Sequence, residues 1–442
     1  MRYSNIKIQS DRMYIWITFA ILFSNIYKAI VTFLHFPSAI SYVLDIIWIV
    51  LLFMIIQSKT KYQDNRWIIS LVILFWIETI MSWGMNLYSP LLYMWGFRNL
   101  FRFYVFLIAC VFFFQARNIY SIYKMLYILL ITNAVFCTIE YFILNYTLDV
   151  VSGLFTAGAN VRGGNASLNV LMCIVCTIAL TLFFEKKKGV IHAAIPITLS
   201  LYMAAISEIK AFYIEFAIIL IACSLLTRFS FKKLYGIGIA TIGIVIAVRY
   251  YYMLFPNFEN IFNLSNLLSY TGSDGSSYGS ATILNRITAP PFMMENFMTN
   301  IPTKLFGIGL GNADYAAGST LLTSSFYSKF GYLCYTWWLL PMLLIENGII
   351  GVLFYILIFG YIFIKTTMIK KYAKEERAFL TAVQIFTILG LMLMVYNQSL
   401  RLDTAGYVFY FWMSIPFIIQ RDIKEGRYLS IPKSKFIKIR FI

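Results

Sequence analysis

Histidine is nearly absent from this chain: its 442 residues contain two, His35 and His192. They are too few and too scattered for a histidine-based metal site, and no Ser-His-Asp order can be built on them. No phosphate-binding loop of the G-x-x-x-x-G-K-[ST] type occurs, and no internal repeat is clear enough to use. Acidic residues are scarce, 19 against 36 lysines and arginines. The six cysteines form no framework. Five of them lie in apolar runs, and the C-x-x-C of Cys173 and Cys176 sits inside one. Two small core residues are the simpler reading than a redox pair.

What is abundant is apolar sequence. Sixty per cent of the residues are hydrophobic and mean hydropathy is +0.76. No soluble domain of this length could hide that much apolar surface. The expected fold is an all-α polytopic membrane protein with about 12 transmembrane helices of roughly 20 residues each. Residues 1–442 read as a single membrane domain, with 253–336 as one large extracytoplasmic loop within it. Spans are expected at 13–34, 40–57, 67–83, 97–115, 120–146, 165–184, 190–206, 211–227, 234–252, 337–363, 379–396 and 404–419. The first is too long for a signal-peptide core and lacks a small-x-small cleavage site.

The connections alternate in charge. One set carries Lys59, Lys61 and Arg66, then Arg117 and Lys124, Lys186 to Lys188, Arg228 to Lys233, and Lys365 to Arg377. Both termini belong to this basic set. The other set is nearly bare. By the positive-inside rule the basic set is cytoplasmic, which puts both termini inside and the large loop outside. This accounts for most of the net charge of +17 without a nucleic-acid partner.

Charges inside spans are costly and usually mark pairing or function. In this chain they are Lys28, Asp45, Glu78, Arg98, Arg102, Glu140, Glu215, Arg249 and Glu346. All lie in the outer half of a span except Glu346, which lies near the middle. The inner halves are essentially uncharged. A transporter needs a polar path through both halves, whereas an enzyme working in the outer leaflet needs polarity only outside. The first outer connection is a few residues long with no acidic pair. That argues against membrane glycosyltransferases with a catalytic acid in a large first loop.

Several residues could carry chemistry. Arg98 and Arg102 are spaced i, i+4 and share a helix face. Their planar forks suit a diphosphate, or they pair with Glu78, Glu140 or Asp45. Lys210 sits in the tight turn Ser207-Glu208-Ile209-Lys210. Arg286 precedes an amphipathic run, 283–298, that Pro290-Pro291 is expected to break. Gly307, Gly309 and Gly311, followed by Asn312, lack Rossmann spacing; they allow close backbone approach, to a helix or to a phosphate. Glu346-Asn347-Gly348 leads to Gly351, a run that suits close helix packing. Asp314, Arg162, Arg249 and Arg401 complete the candidate set on the outer side, and no metal ligand set is found.

These features together resemble the bacterial O-antigen and capsular polysaccharide polymerases (Wzy-type) and the related O-antigen ligases. The resemblance lies in the layout of spans and late outer loop, and in a string of local motifs across 207–351. These are the Ser-x-basic turn at Ser207 to Lys210, the loop arginine Arg286 ahead of the Gly307-x-Gly309-x-Gly311 run, and Glu346-x-Gly348-x-x-Gly351. Two departures stand out. The turn carries lysine where arginine is commoner, and the His-Asn pair of many relatives is missing from Tyr335-Thr336-Trp337-Trp338. The resemblance implies a metal-independent glycosyltransferase of the bacterial cytoplasmic membrane that needs no cofactor. The donor would be a glycan on undecaprenyl diphosphate and the acceptor the terminal sugar of another lipid-linked repeat. Arg286 and Lys210, helped by Arg98 and Arg102, would stabilise the leaving diphosphate. Glu346, Asp314 or Glu208 would take the hydroxyl proton. The segment 272–280 would let the loop close. A chain-length regulator and a flippase are the protein partners this implies. An O-antigen ligase, or a lipid-linked oligosaccharide flippase, is the alternative.

Overall fold

Long apolar runs can satisfy their backbone groups in a membrane only as helices or closed barrels. The computed structural model of this chain takes the first route. It describes residues 2–58, 65–159, 161–227 and 284–426, with a few isolated positions between 238 and 253. Among the described residues there is no strand, only an isolated bridge between Ala316 and Ser319.

The helices are α1 (Arg2–Phe33), α2 (Val43–Gln57), α3 (Arg66–Asn86), α4 (Pro90–Phe113), α5 (Ile119–Thr138), α6 (Gly164–Phe184), α7 (Val190–Ile206) and α8 (Lys210–Leu226). Beyond residue 284 come three short ones, α9 (Ala289–Asn296), α10 (Ile301–Phe306) and α11 (Ser325–Phe330). Three long ones follow, α12 (Leu339–Lys370), α13 (Arg377–Tyr396) and α14 (Asp403–Lys424). Among the described residues, eight helical segments are long and apolar enough to cross a membrane, in α1 to α6, α12 and α13. The chain is a polytopic helical membrane protein. Three further expected spans coincide with α7, α8 and α14, which are shorter or more polar. The expected span 234–252 and the segment 272–280 lie almost wholly outside the described residues.

The apolar window of α6 is buried along its whole length, packed by α5, α7, α8, α13 and α14. The outer helices keep large apolar side chains exposed, such as Ile46, Phe53 and Ile56 on α2 and Trp67, Ile73 and Leu74 on α3. Surfaces of that kind are stable against lipid and costly in water. Cys173 and Cys176 point to different neighbours, Glu215 on α8 and Ser200 on α7.

The run 283–298 divides at Pro290-Pro291: residues 284–288 are not helical, and the helix starts with the prolines. The two prolines open α9, where a missing N–H costs nothing. Asn300 and Ser324 cap α10 and α11 by accepting the Thr303 and Tyr327 N–H groups. Both α9 and α10 pack on α12. The described segment 284–338 therefore carries a layer of short helices packed on α12 at one end of the bundle, the loop face.

Candidate functional site

The site begins with a break in a helix. Gly348, inside α12, has φ 63° and ψ −166°. This conformation is essentially confined to glycine. The break frees the carbonyls of Ile345 and Glu346 from their helical partners, and a buried carbonyl must find another donor. The glycine run supplies two: Ile308 N–H donates to Ile345 O at 2.8 Å, and Gly309 N–H to Glu346 O at 3.0 Å.

The same run is pinned on its other side by α3, α4 and the turn between them. Ser82 donates to Phe306 O at 2.6 Å, Asn86 to Gly307 O at 3.2 Å, and Tyr88 to Leu310 O at 2.6 Å. Burial, with the Glu346 carboxylate nearby, raises the Tyr88 hydroxyl well above the usual tyrosine range, so it stays a donor. The glycines are needed for this approach. A Cβ on Gly311 would sit 2.0 Å from Leu92 O. Gly307 faces the Glu346 backbone and Gly309 the Tyr88 ring. Of the two uses the sequence allows for these glycines, the run is seen pressed against helices.

The run delivers Asp314 to a buried ion cluster. Arg401, in the 3₁₀ turn Ser399–Arg401, donates to Asp314 Oδ2 at 2.8 Å, and its other terminal nitrogen lies 3.7 Å from Glu346 Oε2. Asn99 donates to the same Asp314 oxygen at 2.9 Å. Glu346 is 1% exposed, and its Oε1 accepts the Gly311 N–H at 3.0 Å. Burial acts against the charge of Arg401, but the Asp314 and Glu346 carboxylates outweigh it and raise its pKa. One step along, Arg102 pairs with Asp403 at the start of α14 and donates to Arg401 O at 3.1 Å.

Between these groups lies a cavity of about 210 Å³. Tyr27 and Lys28 of α1 line it, with Asn99 and Arg102 of α4, Asp314 and Tyr315 of the loop, and Gln398 with Arg401 to Thr404 around the start of α14. Three of the residues picked out in the sequence, Arg102, Asp314 and Arg401, therefore meet at one cavity. Glu346 touches the cluster from behind and is not part of the lining.

The other picks lie around or away from it. Arg98 is held by Asp45 through two bonds of 2.9 and 2.8 Å and stacks on Trp95. Arg286 is half-buried, donates to Tyr396 O at 2.9 Å and lies over the Tyr396 ring at 4.3 Å. It thus docks on the segment that leads to Gln398 and Arg401. The Asn312 side chain bonds back to Ile308 O within the run. Lys210 pairs with Glu208 in its own turn at 2.8 Å. Arg162 is exposed, 3.9 Å from Asp149, and Arg249 is an exposed helical position. Glu140 accepts the Ser152 and Gly153 N–H groups, and Glu215 accepts the Asn169 amide, so both acids brace the fold.

Sequence reasoning leaves Tyr27, Asn99, Gln398 and Asp403 unassigned, and counts Lys28 only as one more charge within a span. The signal for Lys28 and Asp403 is their place at the same end of the bundle as Arg102. Among the described residues, no three His, Cys, Asp or Glu side chains gather where they could hold a metal ion. No protein-family model matches this chain, and no curated protein is significantly similar to it.

Proposed function

We propose that the chain is a polysaccharide polymerase that transfers a glycan from undecaprenyl diphosphate to the terminal sugar of another lipid-linked repeat unit, at the outer face of a bacterial cytoplasmic membrane. The observation that carries this reading is the cavity at the loop face, where Lys28, Arg102 and Arg401 meet Asp314. Cations there suit a diphosphate leaving group, and a carboxylate beside them suits proton removal from an attacking hydroxyl.

In this reading the acceptor hydroxyl attacks the anomeric carbon of the donor glycan. The bond from that carbon to the diphosphate oxygen breaks, and the electron pair leaves with the diphosphate. The proton passes to Asp314, the carboxylate that both lines the cavity and belongs to the loop. Glu346 holds Arg401 and the glycine run in place. Arg286 anchors the loop on Tyr396, two residues before the lining residue Gln398.

The distribution of charge favours an enzyme over a flippase. Among the described residues the ion pairs fall at the two ends of the bundle. One group surrounds the loop-face cavity, and the Glu185–Arg377 and Arg421–Asp422 pairs lie at the opposite end. A substrate path through the bundle would need polar groups between them.

The test is reconstitution. Purified protein in liposomes receives an undecaprenyl-diphosphate-linked repeat unit, with Arg286→Ala alongside. The expected result is a ladder of longer lipid-linked glycans from the wild type and little or none from the variant. No ladder from folded wild type refutes polymerisation, and labelled lipid crossing the bilayer in its place favours the flippase.

A further inference from the structure

Lys28 is the one charged residue in the apolar segment Met13–Phe33. It also lines the loop-face cavity. The other two cations of the lining are neutralised by contact: Arg102 by Asp403, and Arg401 by Asp314 with Glu346 behind it. Just outside, Arg98 is neutralised by Asp45. Lys28 makes no hydrogen bond or ion pair among the described residues; Asp403 acts on it only at longer range. Lys28 is half-buried within a span, where an ammonium is costly unless a partner compensates it, and the chain supplies none in contact.

The charge of the lining agrees. Lys28, Arg102 and Arg401 stand against Asp314 and Asp403, three positive groups against two negative. The excess positive charge is the unpartnered ammonium. The cavity, at about 210 Å³, is below the roughly 300–1,000 Å³ of drug-sized ligand sites. It suits a small anionic group better than an oligosaccharide. An ammonium is a compact point charge that recognises phosphate without a fixed fork geometry.

We propose that Lys28 is the anion-binding residue of this cavity and that its ligand is a diphosphate group, with Tyr27 and Asn99 also in the lining. This deepens the polymerase reading and rests on it for the identity of the donor; the anion site itself rests on the cavity. The diphosphate can come from a lipid headgroup or from free pyrophosphate, and the experiment separates the two.

Full-length protein in detergent is titrated with undecaprenyl diphosphate and, separately, with inorganic pyrophosphate. Wild type, Lys28→Gln and Lys28→Arg are compared by microscale thermophoresis, after each is shown to be monodisperse with a wild-type melting profile. Loss of one charge-assisted contact lowers affinity on the order of tenfold or more, so Lys28→Gln should bind that much more weakly while Lys28→Arg keeps most of the affinity. Tighter binding of the lipid than of pyrophosphate assigns the site to a headgroup, and the reverse order assigns it to the free anion. A second readout needs no variant: acylation of Lys28 by an amine-reactive reagent, followed by peptide mass spectrometry, should fall when the probe is bound. Equal affinity of wild type and Lys28→Gln, no wild-type binding of either probe, or unchanged acylation overturns the proposal. Binding that depends on Lys28 in a protein that makes no polymer upholds the anion site and removes the polymerase reading. Undiminished polymer from Lys28→Gln does the opposite.

Discussion

Gly348→Ala is the sharpest probe of the broken helix. An alanine Cβ at this position would lie 2.3 Å from Leu305 O and 2.6 Å from Phe306 N. Both are backbone atoms, and no flexible side-chain end is available to swing aside. Holding a non-glycine residue in this region of φ and ψ costs about 1–3 kcal/mol. Overpacking adds about 1–3 kcal/mol, so the loss is roughly 2–6 kcal/mol in total. On the entropy per residue of globular proteins, a chain of 442 residues then melts roughly 2–6 °C lower. Gly360 is the internal control. It lies in the same helix, and a Cβ there meets nothing within 4 Å. Gly360→Ala should be neutral or raise stability by up to about 1 kcal/mol. The assay is thermal unfolding of both variants in one detergent, followed by a tag-independent fluorescence probe. The 305–311 run must move away from α12 to admit the methyl group, and Asp314 moves with it, so on the polymerase reading Gly348→Ala should also lose glycan transfer in the liposome assay. A melting temperature for Gly348→Ala at or above wild type, or equal shifts for the two variants, refutes the break as described.

Two other outcomes follow from the same geometry. Removing one partner of a buried ion pair costs about 3–5 kcal/mol, so Arg401→Met, which leaves Asp314 and Glu346 without their cation, should melt well below wild type. Glu346→Gln loses only the 3.7 Å contact and keeps an oxygen for the Gly311 N–H, so it should be milder; the reverse order of melting temperatures contradicts the assignment of Arg401 as the hub of the cluster. For topology, a reporter inserted at the exposed Leu321 should read outside and one at the exposed Lys187 inside. Both on one side, or the opposite assignment, removes the outer-leaflet site.

Eight of the expected spans were legible because apolar length alone specifies a membrane span. The ends were less so where function intrudes. Apolar length starts the fourth span at 97, but α4 begins at Pro90; the polar group Arg98, Asn99 and Arg102 masks a helix whose start is signalled by its proline. The partners of the buried charges were legible only in part: Asp45 was one of three acids the sequence offered Arg98 and Arg102, and the other pairings were not foreseen. Arg98 finds Asp45, Arg102 finds Asp403, and Arg401 finds Asp314, across separations of 53 to 301 residues. No local pattern encodes such pairings. The break at Gly348 was hidden for a different reason: Glu346-Asn347-Gly348 sits in an otherwise continuous apolar run, and a packing glycine and a helix-breaking glycine look the same in sequence.

The two hidden features explain each other. A charged cavity at the end of a lipid-facing bundle is less costly when most of its cations are neutralised, and Arg102 and Arg401 carry acidic partners in the structure as it stands. Those partners reach the site on backbone that must be held to a fraction of an ångström. Asp403 is held by the start of α14. Asp314 lies on a loop with no regular structure of its own, and the break in α12 gives that loop helix carbonyls to bond to, as the glycines let it close on them. An incoming anion would then meet Lys28 first, the cation with no internal partner in contact. It would draw on Arg102 and Arg401 only as charge develops on the leaving group, when competition with Asp403 and Asp314 turns in its favour. On the polymerase reading, cations held back in this way would stabilise the transition state more than the bound substrate, which is the condition for catalysis rather than mere binding.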